Sequence, residues 1–503
     1  METKVLPKLR LLESILPPIN RLPKDIFVLI PRFFPQDELD PEADSRFPMN
    51  GPLIKMTHVC RSWRNVLLST PSLWTQIDFS ISKSKQAETF LGRSGDQLLD
   101  VCQFLQSEAD VDPFVPSTLD NIHRLRLLDI YTYHPRLDLV LESFASPAPE
   151  LEFLRIIHNP TSTKRDMKIP QIFGGRLPKI TYLSLKYLDT NLRDLNFPSL
   201  TRFNFSRRTM ILVPDMASFL ERCPLLEFLE ISLAYRPDPP IPPPKNRIRL
   251  TALKKLTFNQ TASTCGLLDG LILPKCTEMA LKGPFTGEEF DWAGDASARI
   301  HPSSIDHLPV MREITKVVAM PNSCILSGPN GNLRFWCTDF ARGSFDGLYF
   351  TSFSPIFVLD IRELWVGQNT TTRNPWKQTI AGARGAFGVL KKVDDLTIVS
   401  CETGPLFATL GTPERDGVPL PGLRRLTIYV GLGDVDIPTL VQCVKTRKTY
   451  SRPLGKVTVV FEEEPGADLV RWLELLRASV GEMAYCVGET PRLYWETTDC
   501  VLW

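Results

Sequence analysis

A hexamer of the form apolar-x-x-apolar-x-apolar recurs along most of this chain and constrains its fold more than any other feature. It reads IHRLRL from Ile122, LEFLRI from Leu151, ITYLSL from Ile180, LTRFNF from Leu200, LEFLEI from Leu226, LKKLTF from Leu253 and CTEMAL from Cys276. It returns as IRELWV from Ile361, VDDLTI from Val393, LRRLTI from Leu423 and LGKVTV from Leu454. Outside the one gap after Cys276, neighbouring starts lie 20 to 32 residues apart. The last four positions alternate, which predicts a short strand with one buried face. The leading apolar residue anchors the approach to that strand. Helical segments lie between the hexamers: RLDLVLESFA from Arg136, PDMASFLERC from Pro214, PTLVQCVKTR from Pro438 and DLVRWLELLR from Asp468. One such unit cannot bury its own apolar face, so neighbours must stack. Stacking also accommodates the length, since 503 residues exceed what one compact core usually holds.

Strand, turn, helix and return make a leucine-rich repeat. The expected architecture over residues 81–503 is an α/β fold, a curved leucine-rich-repeat solenoid with a parallel β-sheet. The amphipathic helix Asp468–Arg477, with Trp472, is its expected C-terminal helical cap. The final VGETPRLYWETTDCVLW is expected to add a last strand or to pack onto that cap. In the gap, from about 282 to 360, LRFWCTDF and GLYFTSF read as one or two divergent repeats. The match is degenerate, with a turn asparagine only at Asn159, in LEFLRIIHN. Three segments read as loops: proline-rich Arg236–Asn246, Gly283–Ser304 and Gly411–Gly422.

Residues 1–80 are of another kind, with a helical core at about 19–74. The opening is INRLPKDIFVLIPRFF. Pro23 suits a first helical turn, and Asp25 complements the helix dipole there. Ile26, Phe27, Leu29, Ile30 and Phe33 fall at helical spacing. Pro31 in mid-helix would cost on the order of 3 kcal/mol, so the helix should end or kink there. A polar loop rich in proline and acid follows, up to Gly51. Leu53, Met56, Cys60, Trp63 and Leu67 then form a second helical stripe, with a candidate break near Cys60 and a stop at Pro71. Two or three short helices make a thin core, so part of the apolar face should need a partner.

This segment resembles an F-box of the kind common in fungal proteins. Leu22-Pro23-x-Asp25-Ile26-Phe27 matches the start of that family, and Val59-Cys60-Arg61-x-Trp63-Arg64 its second signature. Leu68-Ser69-Thr70-Pro71-Ser72-Leu73-Trp74 is similar to the continuation in mushroom-type members. The resemblance covers about the first 80 residues. It implies docking to a Skp-type adaptor, and through it to cullin and RING subunits of a ubiquitin ligase. By position, Leu22, Pro23, Ile26, Phe27, Ile30, Leu53, Val59, Cys60 and Trp63 would form core and docking face together. The repeats would then hold an unknown target protein for ubiquitin-dependent degradation. The chain would act as substrate receptor and not as an enzyme. A repeat scaffold or binding protein outside any ligase, and a sensor or enzyme with its pocket in the repeats, stay open beside that reading.

Arginine and aromatic side chains at outward strand positions are the usual interface anchors. The candidates are Arg155, Tyr182, Arg202, Phe228, Lys255, Glu363, Trp365, Arg425 and Tyr429, subject to strand register, because a slip of one residue flips the face. Chemistry of other kinds lacks a signature. No phosphate-binding P-loop or nucleophile elbow occurs, and the glycines of GARGAFG are wrongly spaced for a dinucleotide. The six histidines include no His-Glu-x-x-His, and the eleven cysteines include no Cys-x-x-Cys. No catalytic residue, cofactor or metal is therefore expected. With a net charge of +1 and no long apolar run, neither nucleic acid nor membrane is an expected partner. The cysteines read as reduced thiols, and the compartment as cytoplasm or nucleus.

Overall fold

In the computed structural model the described residues are 22–33, 50–79, 84–107, 110–133, 137–159, 167–168, 172–175, 177–207, 213–233, 247–259, 267–283, 307–320, 323–337, 360–367, 387, 390–399, 403–413, 417–430 and 435–488. The loop from Pro35 towards Gly51, the Arg236–Asn246 and Gly283–Ser304 segments, GLYFTSF, GARGAFG and the C-terminal tail lie wholly or mostly outside them. The fold is mixed α/β with mostly parallel sheet. The chain divides into two compact units, one of residues 1–200 with 497–503 and one of 201–496. The boundary expected near residue 80 falls within the first of these units. The helical module shares its unit with the first five strands.

In the first unit the module comprises α1 (Lys24–Phe27), α2 (Gly51–Thr57) and α3 (Arg61–Leu68). The first helix is short. A turn follows Phe27, and Ile30–Phe33 continues as a 3-10 helix around Pro31, whose ring and missing N–H are at odds with an α-helical interior. The second stripe breaks at Cys60, whose extended backbone and side-chain sulfur cap α3, the sulfur accepting from the Trp63 N–H at 3.5 Å. The strands that follow are β1 (Gln76–Asp78), β2 (Leu99–Leu105), β3 (Leu125–Thr132), β4 (Phe153–His158) and β5 (Tyr182–Lys186). They pair in parallel and in chain order. The two strands β1 and β2 precede every hexamer and have no counterpart in the repeat pattern.

In the second unit the strands of the main sheet are β6 (Arg202–Arg207), β7 (Phe228–Leu233), β8 (Lys255–Asn259), β9 (Glu278–Gly283), β10 (Lys316–Met320), β11 (Ser323–Gly328), β12 (Gly331–Cys337), β13 (Glu363–Gly367), β14 (Asp395–Val399), β15 (Arg425–Val430), β16 (Lys456–Phe461) and β17 (Glu482–Val487), apart from a two-stranded pairing of Ile248–Arg249 with Leu271–Ile272. From β6 to β9, and again from β13 to β17, the order follows the chain and all pairing is parallel. The gap region departs from the expected repeats. There β10, β11 and β12 form an antiparallel meander, with β12 parallel to β9 and β10 parallel to β13. The chain leaves β9, starts beyond two strand positions, and zigzags back to fill them. Gly331, at φ +127°, makes the turn into β12, where an added Cβ would lie 2.0 Å from the Thr277 carbonyl oxygen.

Ten of the eleven hexamers place their strand as expected, and their anchoring residues Leu151, Ile180, Leu200, Leu226, Leu253, Cys276, Ile361, Val393, Leu423 and Leu454 are all buried. The hexamer from Ile122 is displaced by three residues, because Ile122–Arg124 is a 3-10 helix. There it is Leu125, Leu128 and Ile130 that are buried, with Leu128 and Ile130 in register with Leu154 and Ile156. Four helices occupy the expected segments: Leu137–Glu142, Val213–Glu221, α4 (Ile437–Thr449) and α5 (Ala467–Arg477). The last of these does not end the sheet, because β17 follows it and pairs with β16. Trp472 is exposed on α5, while Leu473 and Leu476 face the core. Asn159 departs from the expected turn role. Its side-chain amide donates to the Tyr131 hydroxyl at 3.5 Å.

Candidate docking surfaces

The helical module separates core from surface more cleanly than its size suggests. Phe27, Leu53, Met56 and Leu67 are buried, and Phe27 meets Trp63 edge to face at 4.8 Å between ring centres. By contrast Leu22, Ile26, Leu29 and Val59 are 39, 47, 38 and 59% exposed. Pro23 and Cys60 are exposed beside them, and Ile30 and Trp63 are half-buried. Of the nine residues expected to share core and docking face, Phe27 and Leu53 are core alone. Leu29 belongs with the exposed set, where its position on the Ile26 side of the short helix could have been read from the sequence. Large apolar side chains left in water by a small helical module mark a surface that is buried elsewhere.

Trp74 joins the module to the sheet. It is buried, its indole N–H donates to the Leu67 carbonyl at 3.0 Å, and its ring meets Phe90 edge to face at 4.8 Å. The Arg93 guanidinium lies over it at 4.6 Å. Two residues on, β1 begins, and Asn50 donates to the Gln76 carbonyl at 3.0 Å.

On the first unit's sheet, one face is core and the other carries the candidate anchors. Leu154 and Leu183 lie on the core face, and their neighbours Phe153 and Tyr182 stack at 4.0 Å on the other. The next outward row is Asp78, Cys102, Asp129, Arg155 and Ser184, by register, and all five are buried. Arg155 is therefore not an exposed anchor. Its guanidinium forks onto the Asp129 carboxylate, with Nε donating to Oδ1 at 2.8 Å and Nη2 to Oδ2. The sequence pattern gave its face correctly but not the cover over that row. Burial first, then the Asp129 charge, pushes the Cys102 thiol well above its usual range. One row further, Phe104, Tyr131 and Tyr133 cluster edge to face, and the two tyrosine hydroxyls lie 3.0 Å apart.

The second unit's outward face is more open. Arg202 lies over the Phe228 ring at 4.5 Å, and Lys255 pairs with Glu278 at 3.4 Å. Glu363 and Trp365 sit on β13, half-buried, with the Lys316 ammonium 4.3 Å from the Trp365 ring. Arg425 is exposed and Tyr429 half-buried on β15. Eight of the nine candidate anchors are thus at least partly accessible, and the sheet registers line up Tyr182 with Phe153, Arg202 with Phe228 and Lys255, and Glu363 with Arg425 through Asp395.

Among the described residues no group of three or more His, Cys, Asp or Glu could hold a metal ion, and no helix is long and apolar enough to cross a membrane. No family model matches this chain, and no curated protein matches it.

Proposed function

We propose that this chain is the substrate-recognition subunit of a Skp–cullin–F-box ubiquitin ligase, with the N-terminal module docking the adaptor and a leucine-rich-repeat solenoid holding the target protein. The observation that carries this reading is the exposed set Leu22, Ile26, Leu29 and Val59 on a module whose own core, Phe27, Leu53, Met56 and Leu67, is already closed. Leu22, Ile26 and Val59 lie within the two signatures by which the segment resembles an F-box, and Leu29 lies two residues past the first. The mechanism is proximity: a ubiquitin-conjugating enzyme brought by the ligase core meets a lysine of the bound target at high effective concentration. This chain supplies no catalytic residue to that transfer.

The test is co-purification with a Skp-type adaptor. The full chain is expected to form a stable complex. The double change Leu22→Ala, Pro23→Ala and, separately, Val59→Glu are expected to lose it while the fold is kept, because these side chains are already in water. Absence of a complex with the well-folded full chain overturns the ligase reading and leaves a repeat protein that binds its partners outside a ligase.

A further inference from the structure

The outward row at the C-terminal end of the second unit carries a charge order that is unfavourable for the sheet by itself. Across six strands the register aligns Lys316, Glu363, Asp395, Arg425, Lys456 and Glu482. These pair in twos: Lys316 with Glu363 at 2.9 Å, Asp395 with Arg425 at 3.0 Å, and Lys456 with Glu482 at 2.6 Å. Between the pairs, like charges stand directly opposite, Glu363 beside Asp395 and Arg425 beside Lys456. Like charges on facing strand positions are destabilising, and a strictly alternating row would avoid both. The row therefore presents an acidic spot at β13–β14 and a basic spot at β15–β16. Asp394, 3.9 Å from Arg425, adds to the acidic side.

Several features mark the row as a surface meant to be covered. The basic spot is the more accessible, with the Arg425 and Lys456 side chains 59 and 44% exposed against 37 and 24% for Glu363 and Asp395. Beside the acidic spot lies Trp365, whose indole N–H donates to Glu363 Oε1 and whose ring carries the Lys316 ammonium at 4.3 Å. Beside the basic spot lies Tyr429, half-buried. The neighbouring row runs from Trp365 through Thr397, which is buried, to Thr427 and Thr458, which are half-buried. The Asp395 carboxyl is held above its usual range, first by burial and further by the Glu363 and Asp394 charges, against the pull of Arg425. Burial acts on the Glu363 carboxyl in the same sense, but the hydrogen bonds from Lys316 and Trp365 hold it below its usual range.

We propose that this face docks a protein segment that is itself bipolar, presenting a basic side chain to Glu363 and Asp395 and an acidic one to Arg425 and Lys456. The two spots are two strand spacings apart, about 10 Å. A helix lying across the strands reaches both with residues at i and i+7, a rise of about 10.5 Å. The proposal rests on the reading of the repeats as the target-holding part, but not on the adaptor. It deepens that reading by naming the class of target segment.

The experiment measures binding of four fluorescein-labelled, alanine-rich helical peptides of about 20 residues, long enough to hold a helix, to the full chain by anisotropy. They carry at i and i+7 Lys and Glu, Lys and Lys, Glu and Glu, or Gln and Gln. The Lys/Glu peptide is expected to bind about fivefold or more tighter than the others, as two exposed ion pairs allow, and the preference is expected to shrink at high salt. In the double variant Glu363→Lys, Asp395→Lys the preference is expected to pass to the Glu/Glu peptide, a gain that unfolded protein could not give. Equal binding of all four peptides, or a preference that the variant leaves unchanged, overturns the proposal. Adaptor capture is scored in the same preparations. Loss of the adaptor with the peptide preference intact removes the ligase reading alone.

Discussion

The buried Asp129–Arg155 pair allows a quantitative test of the first unit's sheet. Both side chains are nearly inaccessible, 5 and 7%, and joined by two hydrogen bonds across β3 and β4. With charge centres about 4 Å apart and an effective dielectric near 20, the attraction is about 4 kcal/mol. Removing one partner takes the bidentate bond from the other, buried charge, so Asp129→Leu or Arg155→Met should each destabilise this unit by about 3–5 kcal/mol. Arg155→Met should be the worse of the two, because Asp129 then faces Asp78 and Asp100 with its bidentate partner gone. The double change Asp129→Leu, Arg155→Met replaces the pair with apolar volume and should return to within about 1 kcal/mol of the natural chain. Hydrogen exchange of the β3 and β4 amides reads this directly. The single variants should exchange between two and four orders of magnitude faster, at about 1.4 kcal/mol for each factor of ten. A double variant as destabilised as the sum of its singles would refute the reasoning, since it would mean that the two side chains act independently.

Arg447 on α4 is fully buried and donates to the Pro419 and Leu420 carbonyls at 2.7 and 2.9 Å, so Arg447→Met should lower the second unit's stability by about 2–4 kcal/mol in thermal or urea unfolding. Gly331→Ala should destabilise the β11–β12 turn by more than about 2 kcal/mol, seen as faster exchange in β9 and β12, because the new Cβ meets the Thr277 carbonyl. Burial holds the Cys223, Cys276, Cys324 and Cys443 thiols at about 12 against an ordinary 9.0. Each stays protonated when folded and ionises earlier when unfolded. Their contribution to stability is therefore complete below pH 9 and lost as pH rises towards 12. For the same reason alkylation of the folded protein near pH 8 should modify Cys60 and Cys486, the exposed thiols among the described cysteines, and spare those four.

The strand positions and the buried anchors were legible in the sequence because period-two alternation and a recurring apolar lead are local properties of the chain. The break at Cys60 was legible for the same reason, since capping acts within one turn, and so was the absence of α-helix at Pro31, although the first helix already ends at Phe27. The nine outward candidates also fell on the correct face, as the alternation requires. What the sequence could not determine depends on neighbours far along the chain. Arg155 lies on the outward face yet is buried and forked onto Asp129, a pairing that depends on a register no local pattern encodes. The meander of β10 to β12 replaced the expected repeats because antiparallel and parallel strands share the same alternation, and only pairing distinguishes them. The division between core Phe27 and exposed Ile26 depended on where α2 and α3 lie against a four-residue helix. The charge order from Lys316 to Glu482 is spread over widely separated strands, and it became a surface with two poles only when the sheet brought those strands into register.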